Sequence, residues 1–377
     1  MLLKTKGISH RIEGSIVAKV TRDYNSEGAD QILISENDIP IKSLKNFKAV
    51  ITNTKNDSLS MPYVSSVLTL EHLHDGDIVL INSDGVINTL YRVNSYQNYI
   101  FTTDRCNSNC LMCSQPPKDR DDIDYRFNIN KQLISLIPKD CMEIGITGGE
   151  PTLMGSLFFE LLKIIKTELP DTEVHCLTNG RAFAWPNFAE ELGKLDFTRL
   201  MLGIPLYSDY YLDHDYVVQA KNAWQQTIQG LYNLAFSNVR IEIRVVLQKP
   251  TIPRLTKLAK YIAKNLPFVE HIALMGLEYQ GYTPHNINKL WIDPVEYMAH
   301  LQEAAEHMSD FGLNVSIYNS QLCLMPKDLW KYNKKSISDW KNVYLEECSK
   351  CSRIHDCGGL FDSNKKMHSQ FIKAFEL

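Results

Sequence analysis

The sequence predicts an α/β chain: a partial barrel of six parallel strands and their helices, a small β-rich domain ahead of it and a cysteine-bearing domain behind it. Three observations point there. Six short apolar runs alternate with helical patterns from about Tyr99 onward. The first 95 residues show instead short alternating runs separated by turn signals. The cysteines gather at two places, just after the first of the six strands and beyond the last helix.

The strands are expected over 99–103, 142–147, 173–178, 199–206, 240–247 and 271–277, each rich in Ile, Leu and Val. Helices are expected between them, over 157–165, 216–234, 252–262 and 294–308, with Pro253, Pro267 and Pro294 marking helix ends. Six strand–helix alternations imply a parallel sheet with right-handed crossovers. Together they predict a partial (β/α)6 TIM-like barrel whose active site lies at the C-terminal strand ends.

In the front part, 31–34 and 77–81 read as strands, and His74-Asp75-Gly76-Asp77 and Ser83-Asp84-Gly85 as hairpin turns. The expected domains are 1–95 (β-rich), 96–311 (barrel) and 312–377 (cysteine-bearing).

The 377 residues are 44% apolar and 22% charged, an ordinary globular balance. A net charge of −4 argues against general affinity for nucleic acid or anionic membrane. No membrane span and no signal-peptide pattern after Met1 are legible, so a cytoplasmic protein is expected. In a reducing compartment, spaced cysteines indicate metal ligation or redox chemistry rather than structural disulfides.

Of nine cysteines, Cys106, Cys110 and Cys113 stand in a C-x3-C-x2-C spacing just after the first strand. Three thiolates around a [4Fe–4S] cubane leave one iron open for a chelating ligand. A zinc site would want a fourth ligand close by, and the neighbouring sequence offers none. Thr147-Gly148-Gly149-Glu150-Pro151 ends the second strand. Its glycines allow close backbone approach, and Glu150 offers an acceptor for a cationic ammonium. Thr178-Asn179-Gly180 ends the third strand, Ser208 follows the fourth, and Arg244 lies within the fifth. Arg244 sits among Ile243, Val245 and Val246, where burial demands an anionic partner, either a ligand carboxylate or a structural Asp or Glu. Cys141 and Cys176 read as small hydrophobes.

The second group is Cys323, Cys348, Cys351 and Cys357. Four thiolates fit either a closed [4Fe–4S] cluster or an all-cysteine zinc site, and spacing alone does not separate the two. His355 is a spare candidate and more plausibly a solvated loop residue. Trp330, Tyr332, Trp340 and Tyr344 lie between these cysteines and are expected to pack that loop.

The cysteine motif followed by a Gly-Gly-Glu turn one strand later resembles the signature of the radical S-adenosylmethionine (SAM) superfamily, over about Tyr99 to Leu277. The family often has an aromatic residue just before the third cysteine, where this chain has Met112. The resemblance implies that Cys106, Cys110 and Cys113 hold a [4Fe–4S] cluster with an open iron. SAM would bind there against Gly148, Gly149, Glu150, Thr178, Asn179, Ser208 and Arg244. Reductive cleavage would give a 5′-deoxyadenosyl radical that abstracts hydrogen from a substrate. The second cysteine group resembles the shortened auxiliary-cluster domain called twitch, related to the longer SPASM domain, and implies one auxiliary [4Fe–4S] cluster.

Two segments, 102–117 and 205–220, together with the front domain, are similar to the C-type radical SAM maturase of the His-Xaa-Ser peptide system (HxsC). That likeness implies a ribosomally made precursor peptide as substrate, a second radical SAM maturase as partner and an electron donor such as flavodoxin or ferredoxin. The alternatives are a radical SAM enzyme acting on a small metabolite and, from another class, a non-catalytic metal-binding scaffold.

Overall fold

The computed structural model describes residues 3–26, 30–36, 44, 47–55, 59–335 and 341–376. It divides into two compact units. The first comprises Met1–Phe101, Asp124–Ile144 and Leu161–Thr172, and the second comprises Thr102–Ile123, Gly145–Glu160 and Glu173–Leu377.

The front sheet of the first unit contains β1 (Lys4–Lys6), β2 (Ile8–His10), β3 (Ser15–Thr21), β4 (Gln31–Ser35), β5 (Ala49–Thr52), β6 (Tyr63–Ser65), β7 (Ile78–Asn82) and β8 (Val86–Tyr91). Its order is β1-β8-β7-β3-β4-β5-β6-β2. The expected β-rich character holds, but the pairing differs from a run of hairpins: β3, β4, β5 and β6 pair in parallel. The Ser83-Asp84-Gly85 turn does join an antiparallel pair, with Gly85 at φ +79° and its N–H donating to the Asn82 carbonyl. The His74–Asp77 turn does not; it leads into β7, which pairs with β3 and β8. β-branched side chains suit this half-buried pleated surface, and Val20, Ile32, Ile34, Ile51, Val64, Val79 and Ile81 form its core.

The second sheet follows, with the helices between its strands. The elements in chain order are β9 (Asn98–Phe101), α1 (Ile123–Leu136), β10 (Glu143–Thr147), α2 (Ser156–Glu168), β11 (Glu173–Leu177), α3 (Pro186–Gly193), β12 (Leu200–Pro205), α4 (Tyr211–Val218), α5 (Ala223–Phe236), β13 (Arg240–Val246), α6 (Leu255–Asn265), β14 (His271–Met275), α7 (Ile287–Leu290), α8 (Pro294–Asp310), β15 (Val315–Tyr318) and β16 (Asn333–Lys334). The sheet runs β16-β15-β14-β13-β12-β11-β10-β9. All six expected strands are present, within a residue or two of their expected bounds. Two more, β15 and β16, extend the parallel sheet to eight. The region from 312 onward therefore contributes strands to the barrel sheet as well as the second cysteine group. A small antiparallel pair, β17 (Asn342–Val343) with β18 (Leu360–Phe361), lies within it.

The expected helix over 216–234 is two helices. Gln219 and Asn222 adopt left-handed backbone at φ +52° and +61°, and the Asp215 carboxylate accepts the N–H groups of Asn222 and Trp224 across the break. A left-handed residue cannot propagate a helix. α8 begins where Pro294 predicts, with an Asp293–Glu296 capping box. Among the described residues no helix is long and apolar enough to cross a membrane.

Candidate radical SAM site

The loop after β9 is held by hydrogen bonds before any ligand is considered. Asp122, buried, accepts from the Thr103 hydroxyl at 2.6 Å and from the Asp104 N–H at 3.0 Å. The backbone N–H groups of Asn109 and Leu111 donate to the carbonyls of Val218 and Val217 at the end of α4. The Asn286 amide donates to the Leu111 carbonyl, and the Tyr282 N–H to the Cys113 carbonyl. Arg181 donates to the Asn107 carbonyl and to the Ser108 hydroxyl.

The Gly-Gly-Glu turn packs against this loop. The Gly149 N–H donates to the Thr103 carbonyl at 2.7 Å and the Glu150 N–H to the Arg105 carbonyl at 2.8 Å. A Cβ on Gly148 would lie 2.5 Å from the Thr102 hydroxyl oxygen, and one on Gly149 would run into the Arg105 carbonyl. The absence of a Cβ at both positions is what lets the cysteine loop pack this closely.

The three thiols are partly buried. Burial raises all three pKa values, and the Glu150 carboxylate adds to this at Cys106, which is pushed up to about 11. Cys110 is raised further by its neighbours Cys113 and Cys106. Thiols in such surroundings ionise when a metal takes the proton's place.

Glu150 is 1% exposed. Its Oε1 accepts from the Thr152 N–H, the Thr152 hydroxyl and the Thr178 hydroxyl, and its Oε2 accepts the Asn179 N–H at 2.6 Å. Burial raises its pKa against the pull of these donors. Among the described residues no ion pair compensates it. A buried carboxylate with an acceptor position left on Oε2 suits a ligand ammonium. Thr178 and Asn179 thus reach the site as supports of Glu150, and the Asn179 amide also donates to the Asn107 side chain.

Arg244 finds a structural partner. Its Nη1 donates to Glu242 Oε1 at 2.6 Å, and its Nη2 reaches only the Met275 sulfur at 3.6 Å. Glu242 is 3% exposed and also bonds His271 Nδ1 at 2.7 Å, with His175 Nε2 at 3.3 Å. Burial alone would raise the Glu242 pKa, but His175, His271 and Arg244 outweigh it and hold it well below the usual carboxylate range. Ser208 is buried and serves the start of α4, accepting the Tyr210 N–H and facing Asp213. Met112 packs with Leu111, Tyr207 and Val217 in an apolar cluster. Cys176 is buried, as expected of a small hydrophobe, and so is Cys141.

Sequence reasoning missed Asn107, Arg181 and Tyr207, which hold or line the loop, and Glu242 with its two histidines. A signal for Glu242 was present: Arg240, Glu242 and Arg244 are charged at alternate positions of one strand, hence on one face.

The second group comes together. Cys323, Cys348, Cys351 and Cys357 all line one cavity, walled by Leu322, Ile354 and Leu360. Tyr344 lines it too and donates its hydroxyl to the Cys357 carbonyl. Tyr332 is buried and Trp330 packs edge-on against Phe375; Trp340 lies outside the described residues. His355 is exposed and not part of the wall. Among the described residues no three His, Cys, Asp or Glu side chains converge closely enough to hold a single metal ion.

Residues 100–262 match the model of the radical SAM superfamily. Uncharacterized protein MJ0907 of Methanocaldococcus jannaschii is 22% identical over 271 residues, covering 70% of this chain and 88% of that protein. Among solved structures, Streptococcus suis SuiB is 16% identical with a TM-score of 0.44, over 61% of this chain; the chain spans about half the length of SuiB (50%). Native anSMEcpe with bound AdoMet is 16% identical with a TM-score of 0.49, over 74% of this chain and 93% of that one. The matched residues contain the cysteine loop, the turn packed against it and the strand ends around both, so residues 100–262 are a radical SAM domain.

Proposed function

We propose that this chain is a radical SAM enzyme that removes a hydrogen atom from a ribosomally synthesised precursor peptide. The observation that carries the SAM site is the registration of the Gly-Gly-Glu turn on the cysteine loop, Gly149 N–H to Thr103 and Glu150 N–H to Arg105. It fixes an uncompensated buried carboxylate beside Cys106. Cys106, Cys110 and Cys113 hold the open-iron [4Fe–4S] cluster. Glu150 holds the SAM ammonium, with Thr178 and Asn179 fixing its carboxylate. Arg244 has Nε and Nη2 donors for the SAM carboxylate while Glu242 steadies its other arm. Gly148 and Gly149 set the depth of the turn, and Ser208 shapes the start of α4 beside it. When bound, the cluster and SAM supply the reducing electron and the 5′-deoxyadenosyl radical.

Cys323, Cys348, Cys351 and Cys357 hold one auxiliary [4Fe–4S] cluster. Supporting this, the four cysteines line one cavity, and four thiolates are the ligand count of a closed cubane. The peptide substrate, of His-Xaa-Ser type, rests on the likeness of segments 102–117 and 205–220 to the HxsC maturases, as do a partner maturase, an electron donor such as flavodoxin or ferredoxin and a cytoplasmic setting.

The test is anaerobic incubation of reconstituted enzyme with SAM, reductant and a His-Xaa-Ser precursor, read by mass spectrometry. A modified peptide formed only with SAM is expected. 5′-Deoxyadenosine with an unmodified peptide would point to a small-metabolite substrate instead.

A further inference from the structure

The walls of the second cysteine cavity are not all supplied by the loop that carries the cysteines. Ile372, Lys373 and Phe375 also line it. The Phe375 backbone N–H donates to the Cys351 sulfur at 3.4 Å. Lys373 and Cys323 face the same cavity. The segment is pinned where it crosses: the Phe375 carbonyl accepts from the Ser352 N–H at 2.9 Å and from the Ser352 hydroxyl at 3.1 Å. Its ring meets Trp330 edge-on at 5.5 Å, and Arg353 covers the same indole at 5.9 Å. An amide of this stretch thus reaches a sulfur that lies 24 positions back along the chain. In the first group, by contrast, the Cys106 sulfur takes its donor from Ser108 of its own loop, at 3.4 Å.

We propose that segment 371–375 is a strap over the auxiliary cluster and sets its reduction potential through the Phe375 N–H···S hydrogen bond to Cys351, an inference that rests on the auxiliary-cluster reading above. Reduction adds one negative charge to the cluster, spread over its sulfurs and thiolates. An N–H dipole aimed at a thiolate stabilises that charge, so the Phe375 donor raises the potential.

The background for the test is the full-length Cys106→Ala, Cys110→Ala, Cys113→Ala protein, in which only the second group can bind iron. In it, Phe375→Pro removes the N–H, whereas Phe375→Ala removes the ring and keeps the N–H. Redox titration followed by EPR should show the potential falling in Phe375→Pro. A tenfold change in the oxidised-to-reduced ratio is about 59 mV for a one-electron couple, and a fall of that order is expected. Phe375→Ala should stay near the parent. A second measurement does not depend on the proline variant folding. Protein labelled with 15N-phenylalanine should show a 15N hyperfine coupling to the reduced cluster that disappears in Phe375→Ala. Equal shifts in the two variants, or no such coupling, would overturn the strap. If the background protein holds no iron, the auxiliary-cluster reading itself fails, and that result is visible before any titration begins.

Discussion

The backbone N–H of Glu150 donates to the carbonyl of Arg105 at 2.8 Å, which registers a buried carboxylate to the residue just before Cys106. Glu150 and Cys106, the proposed SAM and cluster ligands, are therefore not independently placed. A shift of either strand end moves both.

Removing the charge but not the shape of Glu150 should cost SAM affinity. Glu150→Gln loses a charge-assisted hydrogen bond to the ammonium, worth about 2 kcal/mol once desolvated. That is about thirtyfold in Kd. SAM titration followed by the EPR change of the first cluster reads it directly. Unchanged affinity with a normal cluster would take Glu150 out of the pocket.

Gly149→Ala should act on the loop instead. Its Cβ would meet the Arg105 carbonyl, part of the backbone rather than a yielding side chain. The loop must move, and the first cluster should be lost while the second stays, leaving about four irons where two cubanes hold about eight. Full iron content in this variant would show that the turn and loop have slack the structure does not suggest.

His214 gives a pH signature. Buried and 1% exposed, it is held neutral by desolvation and by Arg181, its pKa lowered to about 3. Its Nδ1 accepts the Tyr207 N–H at 3.2 Å. The unfolded chain takes up a proton near the ordinary value of about 6.5, the folded one only near 3. Between those values the unfolded state binds more protons, so stability rises with pH and is lost as pH falls through the window. His214→Asn should flatten that dependence by at most about 1.4 kcal/mol per pH unit. Thermal midpoints between pH 7 and pH 5 measure it; a variant as acid-sensitive as the parent would contradict the assignment.

Glu242 works in the opposite direction. Its pKa is depressed by His175, His271 and Arg244 despite burial, so its contribution is present above the ordinary carboxylate range and is lost only in stronger acid. Glu242→Gln breaks the buried pair with Arg244 and leaves that guanidinium uncompensated, at a cost of about 3 kcal/mol. Denaturant unfolding at neutral pH checks this. A change within experimental error would mean Arg244 finds another anion.

The six barrel strands were legible because apolar runs of five to eight residues alternate with helical patterns, and the cysteine loop because its spacing is local. What the sequence hid is what depends on distant pairing. The parallel run β3-β4-β5-β6 reads locally like hairpin strands, since strand pattern does not encode the partner's direction. β15 lies beyond the six expected strands, and nothing local marks it as the seventh of the barrel sheet. The break between α4 and α5 turns on Asp215 accepting two backbone N–H groups, and the apolar spacing runs straight through it. The anion beside Arg244 was foreseen as either ligand or protein; only the structure names Glu242. Arg181 follows a turn already singled out, yet nothing local says that it reaches back to Asn107 and Ser108.

The central claim is that Cys106, Cys110 and Cys113 hold the cluster at which SAM is cleaved, separately from the second cysteine group. The most direct test is 5′-deoxyadenosine formation, with iron counted on the same anaerobic preparations, in the wild type and in the Cys106→Ala, Cys110→Ala, Cys113→Ala protein. The account predicts 5′-deoxyadenosine from the wild type, none from the triple variant, and about four irons still bound to that variant, the content of one cubane. A triple variant that still forms 5′-deoxyadenosine, or a fully loaded wild type that never does, would contradict it.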